Sequence, residues 1–167
     1  MAETVYLSLG SNVGDREQHL RDAIRRLADV GTVVSVSAIY ETEPVEFTRQ
    51  EWFLNCAVGI ETNRTPKQLM AALLAIEREM GRERIQKKGP RAIDIDIVLF
   101  GDHVVESEEL TVPHPGMQRR RFVLEPLAEI AAEARHPVLG RSVREMLEAL
   151  PKAQVVRRAS PAGEPRG

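Results

Sequence analysis

The amino-acid sequence predicts an α+β fold, in which an antiparallel sheet packs against helices. Short runs of apolar residues alternate at period two around positions 5–9, 34–40, 54–60 and 93–100, as they do in half-buried strands. Two longer segments repeat apolar residues at helical spacing and begin with capping sequences. A length of 167 residues and a hydrophobic content of 43% fit one globular domain with a substantial core.

The first three predicted elements are a strand, a helix and a strand. Apolar residues alternate over residues 5–9 in the first strand. Asp15 and Gln18 have the spacing of a capping box, and they begin a helix whose apolar face extends over residues 20–28. Alternation over residues 34–40 then predicts the second strand.

The next three predicted elements repeat that order. After a loop, alternation predicts a third strand over residues 54–60. A second capping box, from Thr65 to Gln68, begins a helix that ends at Gly81. Residues 93–100 form the fourth strand. Two strand-helix-strand units predict a ferredoxin-like sandwich, which is an antiparallel sheet with helices on one face.

A small hairpin and further helices are predicted in the C-terminal part of the domain. A short strand at residues 104–105 is expected to pair back as a hairpin. Helical segments are predicted at residues 119–124 and 126–132. A last helix over residues 142–150 begins with a capping box of the Ser-x-x-Glu type.

Composition narrows the classes of protein and partner. We expect residues 1–150 to form a single domain and residues 151–167, which have little apolar content, to form a flexible tail. A net charge of −2 argues against a general nucleic-acid binder. The one cysteine, Cys56, excludes an internal disulfide and predicts a buried thiol in a reducing compartment. The sequence has neither a signal-peptide pattern nor an apolar run near the ~20 residues of a membrane span, so we expect a cytoplasmic protein with no membrane partner.

An acidic pair in the fourth strand is the strongest indication of chemistry. Because side chains alternate, Asp94 and Asp96 lie on the same face, with Cβ atoms roughly 6–7 Å apart. Adjacent carboxylates repel each other and Asp is a poor strand former, so a shared cation would offset both costs. Mg²⁺ takes one or two carboxylates and completes its shell with water and phosphate oxygens. The alternative is a polar strand face that carries two solvated acids.

Basic residues cluster just before the acidic pair. Fixed positive charge beside a Mg²⁺ site is what the binding of a polyphosphate requires. The alternative interpretation of these basic residues is a loop whose charges are simply solvated. The chain has no Walker motif and no dinucleotide glycine fingerprint, so phosphate binding must come from side chains and metal. The cluster consists of Arg82, Arg84, Lys87, Lys88 and Arg91.

Two further groups of residues are candidates for binding. His114 lies between two prolines and close to the arginines at positions 119–121, which favours a phosphate contact over general-base work. Phe53 and Asn55 share one face of their strand, where an aromatic ring and an amide could stack on and hydrogen-bond a flat heterocycle. The alternative for Phe53 is ordinary packing.

Together these residues closely resemble the 6-hydroxymethyl-7,8-dihydropterin pyrophosphokinase family of folate biosynthesis. The resemblance extends from about Val5 to Leu150, and the combination and order of its motifs are highly specific. The matching motifs are Leu9-Gly10-Ser11-Asn12, Tyr40-Glu41-Thr42, Phe53-Leu54-Asn55, Glu77 with Gly81-Arg82, Gly89-Pro90-Arg91, residues 93–100, Thr111-Val112-Pro113-His114, and Arg120 with Phe122.

The resemblance implies roles for the residues that handle ATP. Asp94 and Asp96 would hold two Mg²⁺ ions that bridge the ATP phosphates, and Arg82 and Arg91 would be the catalytic cations. ATP is then a co-substrate. The residues implied to line the ATP site are Glu77, Arg84, Lys88, Ile97, Thr111, His114 and Arg120.

The resemblance also implies a pterin site and a monomeric protein. The pterin ring would lie between Phe53 and Phe122 and would be read by Asn55. The remaining positions implied to contact the pterin are Asp94 and the backbone of Thr42, Glu43, Pro44 and Val45.

Two positions depart from the family pattern. Lys88 stands where family members often carry a Trp before Gly-Pro-Arg, so closure over bound nucleotide would rely on charge rather than on an aromatic cover. Glu109 stands where a basic residue often precedes the Leu-Thr-Val-Pro-His stretch, so one contact to the nucleotide would be missing.

The implied reaction is attack of the pterin hydroxymethyl oxygen on the β-phosphorus of MgATP, which expels AMP. Positioning and charge neutralisation would supply most of the rate. A nucleotidyl transferase is the first alternative, since it also uses an acidic pair but attacks the α-phosphorus and releases pyrophosphate. A non-catalytic ligand-sensing module of the same fold is the second, and it would need neither the acidic pair nor Arg82 and Arg91.

Overall fold

An antiparallel sheet lies at the centre of the computed structural model, which describes residues 2–43, 52–82, 92–151 and 156–160. The strands are β1 (Glu3–Ser11), β2 (Thr32–Val36), β3 (Ile39–Thr42), β4 (Phe53–Thr62), β5 (Asp94–Phe100), β6 (Val105–Glu106), β7 (Thr111–Val112) and β8 (Val156–Ser160). The α-helices are α1 (Arg16–Leu27), α2 (Pro66–Arg82), α3 (Arg121–Ala131) and α4 (Val143–Glu148), and a 3-10 helix covers Met117–Arg119.

The strands of this sheet follow the order β5–β1–β4–β3–β8. Strand β2 pairs with the second half of β4, while β3 pairs with its first three residues. Each of these pairs is antiparallel. The prediction of an antiparallel sheet combined with helices is confirmed.

The predicted strand over residues 34–40 is interrupted, because β2 ends at Val36 and β3 begins at Ile39. At the interruption a side chain pairs with β4 in place of a backbone carbonyl: the Ser37 Oγ accepts a hydrogen bond from the Ala57 N–H at 2.8 Å. From helix α3, the Glu129 carboxylate accepts from the Ala38 N–H at 3.1 Å and from the Tyr40 hydroxyl at 2.7 Å. Burial and this hydrogen bond to Glu129 raise the pKa of Tyr40 above its usual range.

Helices cover both faces of the sheet, so the prediction of helices on one face is wrong. One face, here called the α1 face, packs Leu7, Cys56 and Ile97 against α1 and α2. The opposite face, called the α3 face, packs Ala57 and Val98 against α3 and α4. The reason is that the central strand is apolar on both sides, since nearly every residue of β4 is buried.

The C-terminal part of the domain follows the sequence prediction with two changes. The expected hairpin is present, as β6 pairs with β7. The two helical segments predicted on either side of Pro126 form one helix, α3, which contains that proline in its second turn. Helix α4 begins at the predicted capping box, in which Ser142 and Glu145 exchange side-chain-to-backbone hydrogen bonds.

Part of the predicted flexible tail is a strand, so that prediction is wrong over Val156–Ser160. These residues form β8, which pairs antiparallel with β3. The physical reason is that β3 would otherwise end the sheet with unpaired backbone groups, and β8 satisfies them.

Two expectations from composition can be compared with the structure. Cys56 is a buried free thiol, as predicted, and burial raises its pKa to about 12. None of the helices in the described part of the chain combines the length and hydropathy needed to cross a bilayer.

Replacement of Ser37 by alanine is expected to lower the free energy of unfolding by about 1–3 kcal/mol, because the buried Ala57 N–H loses its acceptor. Urea denaturation followed by circular dichroism measures the change. Thr32→Val is the control, since Thr32 is exposed on β2 and its replacement should stay within about 0.5 kcal/mol. Equal unfolding midpoints for Ser37→Ala and the parent would contradict the assigned role.

Candidate active site

Asp94 and Asp96 lie on the same face of β5, as predicted, and this is the α3 face. The register pairs Asp94 with Gly10 and Asp96 with Ser8 of β1. Two cavities meet at these carboxylates, because both aspartates line both of them. We call these the sheet-face cavity, over the ends of β1 and β4, and the strand-edge cavity, along the outer edge of β5.

The sheet-face cavity has a volume of about 250 Å³. Ligand sites for drug-sized molecules commonly span roughly 300–1,000 Å³, so this cavity suits a compact ring system. Its lining residues are Ser8, Gly10, Thr42, Glu43, Phe53, Asn55, Asp94, Asp96, Arg120 and Phe122.

Asn55 is held in a fixed orientation at the floor of the sheet-face cavity. The residue is 4% exposed, and its Oδ1 accepts a hydrogen bond from the Thr42 hydroxyl at 2.6 Å. The amide nitrogen therefore lies toward Gly10, where a Cβ added to the glycine would come within 2.9 Å of it. A side chain at position 10 would therefore collide with the Asn55 amide, and glycine leaves room for it. The Asn55 amide nitrogen remains as a hydrogen-bond donor beside the cavity.

Aromatic rings contribute to the sheet-face cavity from two directions. Phe53 belongs to β4, whereas Phe122 lies in the first turn of α3. The Arg120 guanidinium lies over the Phe122 ring, with its Cζ 5.8 Å from the ring centroid. Two rings together with an oriented amide can stack on a flat heterocycle and hydrogen-bond its edge.

The strand-edge cavity follows the outer side of β5 and lies between α2 and the segment around β7. Glu77 of α2 satisfies one backbone group of this edge: its Oε2 accepts from the Ile95 N–H at 2.7 Å. Carboxylates from residues 108 and 109 also line the cavity. Among the residues predicted for an ATP site, those that line it are Glu77, Ile97, Thr111 and His114.

A β-bulge at Val98 positions His114. Tyr6 pairs with Leu99 and Leu7 pairs with Ile97, so Val98 has no Cα partner on β1. The Val98 carbonyl instead accepts from the His114 N–H at 3.0 Å. The His114 Nδ1 is buried and has no hydrogen-bond partner among the described residues, so it can serve a ligand in the cavity it lines.

The chain just before β5 is tied to the end of β1. The Ser11 hydroxyl donates a hydrogen bond of 2.7 Å to the Ala92 carbonyl. Both residues are buried. This contact fixes where the polypeptide enters the strand that carries the acidic pair.

The donor set at the acidic pair fits a cation that is shared with a ligand. Among the described residues, no group of three or more His, Cys, Asp and Glu is placed to hold a metal ion. Mg²⁺ commonly needs only one or two carboxylates when phosphate oxygens complete its shell. Asp94 and Asp96, between two cavities, match that requirement.

The structure brings the predicted site residues together in two groups around the acidic pair. Arg120, which the resemblance assigns to ATP, lines the sheet-face cavity together with the residues assigned to the pterin. Arg82 is the last residue of α2, and its side chain is outside the described part. The other predicted site residues that lie outside the described residues are Pro44, Val45, Arg84, Lys88 and Arg91.

Ser8 and Gly10 line the sheet-face cavity but were missed as site residues. A glycine inside a strand indicates that another group approaches the backbone closely, but the predicted first strand ends before Gly10, whereas β1 continues to Ser11. Ser8 reaches the cavity because the register pairs it with Asp96, and the register between β1 and β5 cannot be predicted from the sequence.

Comparison with known proteins finds a family and several relatives. Residues 6–132 match the family model of 7,8-dihydro-6-hydroxymethylpterin-pyrophosphokinase (HPPK). The chain is 48% identical over 135 residues to the 2-amino-4-hydroxy-6-hydroxymethyldihydropteridine pyrophosphokinase of Bacillus subtilis, covering 80% of this chain and 81% of that protein. The protein of the same name from Methylorubrum extorquens is 44% identical over 154 residues, covering 91% and 96%.

Longer proteins also match. The folic acid synthesis protein fol1 of Pneumocystis carinii is 42% identical over 147 residues, and the chain spans 20% of its length. Among solved structures, a wild-type Plasmodium falciparum HPPK-DHPS with pteroate matches with a TM-score of 0.71 and 17% identity, covering 89% of this chain and 42% of that one. This structural match concerns the fold.

Removal of the Glu77 carboxylate by Glu77→Ala is expected to lower the free energy of unfolding by about 1.5–3 kcal/mol, because a charge-assisted bond to the Ile95 N–H is lost. Glu79→Ala is the matched control on the same helix: Glu79 is exposed and 3.8 Å from Arg26, so its loss should cost no more than about 1 kcal/mol. Urea denaturation measures both. Equal effects of the two replacements would contradict the role given to Glu77.

Proposed function

This chain belongs to the 7,8-dihydro-6-hydroxymethylpterin-pyrophosphokinase family, and we propose that it transfers pyrophosphate from MgATP to the hydroxymethyl group of 6-hydroxymethyl-7,8-dihydropterin. The products are the pterin diphosphate and AMP, in a step of tetrahydrofolate biosynthesis. The observation that carries the proposal is the position of Asp94 and Asp96 where the two cavities meet. A transfer between two bound substrates requires such a junction.

Asp94 and Asp96 are proposed to hold two Mg²⁺ ions. Their placement on a strand hydrogen-bonded to β1 supports this, because a rigid backbone fixes the spacing of the carboxylates. When bound, Mg²⁺ neutralises negative charge on the phosphates. The metal count rests on the resemblance.

The sheet-face cavity is the proposed pterin site. Phe53 and Phe122 would stack on the ring, and the oriented Asn55 amide would hydrogen-bond its edge. The contacts assigned to Asp94 and to the backbone of Thr42 and Glu43 fit the same cavity, since all three residues line it. The contacts assigned to Pro44 and Val45 stay predictions from the sequence.

The strand-edge cavity is the proposed nucleotide site. Glu77, Ile97, Thr111 and His114 line it, and Arg120 lines the adjoining sheet-face cavity together with the acidic pair. A hydrogen-bond donor or acceptor at His114 suits a phosphate or a ribose hydroxyl. The roles of Arg82 and Arg91 as catalytic cations, and of Arg84 and Lys88 in ATP binding, stay predictions from the sequence.

In the proposed reaction the hydroxymethyl oxygen attacks the β-phosphorus in line. A bond forms between that oxygen and the β-phosphorus, and the bond to the bridging oxygen of the α-phosphate breaks, so AMP leaves with the bridging oxygen. The hydroxyl proton is released to solvent. The chain contributes by orienting the pterin with Asn55 and the two rings, and by holding the nucleotide along β5.

Four further proposals concern the protein as a whole. The strand order β5–β1–β4–β2, with antiparallel pairs, supports a ferredoxin-like core. We propose that residues 1–150 supply the pyrophosphokinase domain, to whose sheet β8 adds an edge strand. Monomeric state and cytoplasmic location rest on the sequence and the resemblance.

Identification of the nucleotide product tests the function directly. Incubation with MgATP and 6-hydroxymethyl-7,8-dihydropterin is expected to produce AMP and the pterin diphosphate, separated by anion-exchange chromatography. Pyrophosphate as the product would instead indicate a nucleotidyl transferase. Binding of both compounds without turnover would indicate a ligand-sensing module.

Asp96→Ala is expected to lower kcat by about 100-fold or more, because charge neutralisation at the phosphates is lost. Asp96 is exposed, so the variant should keep the circular dichroism spectrum and unfolding midpoint of the parent. Asp102→Ala is the matched control, as Asp102 is an exposed aspartate in the turn after β5 that lines neither cavity. Turnover near the parent rate in Asp96→Ala would overturn the metal assignment.

A further inference from the structure

Strand β8 covers the edge of β3 close to the sheet-face cavity. In the register, Val156 pairs with Thr42, Arg157 with Glu41 and Arg158 with Tyr40. Thr42 is also the residue that orients the Asn55 amide. The C-terminal strand therefore pairs directly with the segment that supports the floor of the cavity.

Arg157 joins the two chain segments that flank the cavity. Its guanidinium lies over the Trp52 ring, with the Cζ 4.5 Å from the ring centroid, and its Nε donates to the Glu41 Oε1 at 3.1 Å. From α1, Arg16 donates to the Trp52 carbonyl, and its Nη2 lies 4.0 Å from the Glu41 Oε2. Glu41 and Trp52 are thus held against each other by two arginines.

The residues held in this way directly precede two that line the cavity. Glu41 precedes Thr42, Trp52 precedes Phe53, and Thr42 and Phe53 are partners in the register of β3 and β4. Because side chains alternate, Glu41 lies on the α1 face, behind the cavity. A displacement of Glu41 or Trp52 would therefore move Thr42 and Phe53 although neither Glu41 nor Trp52 lines the cavity.

We propose that β8, through Arg157, is a positioning element for the pterin site. It holds Thr42 and Phe53 in the geometry in which the Asn55 amide and the aromatic ring meet the heterocycle. Because the Arg157 side chain is 62% exposed, water screens its charge and both the ion pair and the contact with Trp52 contribute modestly. This inference rests on the proposed function.

The first test measures structure and needs no substrate. Trp52 is the single tryptophan of the sequence, so fluorescence excited at the long-wavelength edge, where the two tyrosines do not absorb, reports on the surroundings of this residue. Arg157→Ala, and a chain that ends at Pro151, are expected to show stronger acrylamide quenching of Trp52 than the parent. Arg158→Ala is the matched control, because Arg158 lies on the same strand but contacts Glu129 at 3.8 Å instead of Trp52. It should keep the quenching of the parent.

The second test measures the consequence for the substrates. In Arg157→Ala the KM for 6-hydroxymethyl-7,8-dihydropterin is expected to rise roughly 2- to 5-fold, which corresponds to the loss of one exposed cation–π contact. The KM for ATP and kcat should stay at the values of the parent. Arg157→Lys should recover part of the loss, since lysine also interacts with an aromatic face.

Several outcomes would overturn the proposal. Unchanged quenching in both Arg157→Ala and the shortened chain would show that β8 does not cover Trp52. Stronger quenching with an unchanged pterin KM would remove the positioning role, and equal rises in both KM values would remove its specificity. Failure of the proposed function is distinguishable, because a parent chain without AMP production would leave the quenching result intact.

Discussion

The outer edge of β5 is the constraint on which the candidate site depends. An edge strand must satisfy its backbone N–H and C=O groups without a neighbouring strand, because open edges invite pairing with other chains. Here the Glu77 carboxylate accepts from Ile95, and the His114 N–H donates to Val98. These contacts bring α2 and the segment after β7 to the same edge. Satisfying the edge therefore also builds the walls of the strand-edge cavity, beside the carboxylates of Asp94 and Asp96.

Features that depend on neighbouring residues could be predicted from the sequence. The N-cap at Asp15, which accepts from the Gln18 N–H, and the capping box at Ser142 involve partners three positions away, and the helices begin there as expected. Alternation placed Asp94 and Asp96 on one face, because this follows from strand geometry alone. Phe53 and Asn55 share a face for the same reason, and both line the sheet-face cavity.

Features that depend on distant residues could not be predicted in this way. The interruption at Ser37 needs the Ala57 N–H and the Glu129 carboxylate, which are far away in the sequence. Strand β8 forms because an edge of β3 is available, and nothing in its own composition requires it. Helices on both faces follow from a central strand that is buried on both sides, and a short apolar run does not distinguish one covered face from two.

The bulge at Val98 has a consequence for how this strand can change in length. Ile97 and Phe100 both pack on the α1 face although three positions separate them, because the extra residue shifts the alternation by one. Deleting the bulged residue would restore regular alternation and leave both Phe100 and the acidic pair on their present faces, but it would remove the Val98 carbonyl that accepts from the His114 N–H. The sheet could therefore lose one residue from this strand without a change of face, whereas the wall of the strand-edge cavity at His114 would lose the backbone contact that holds it.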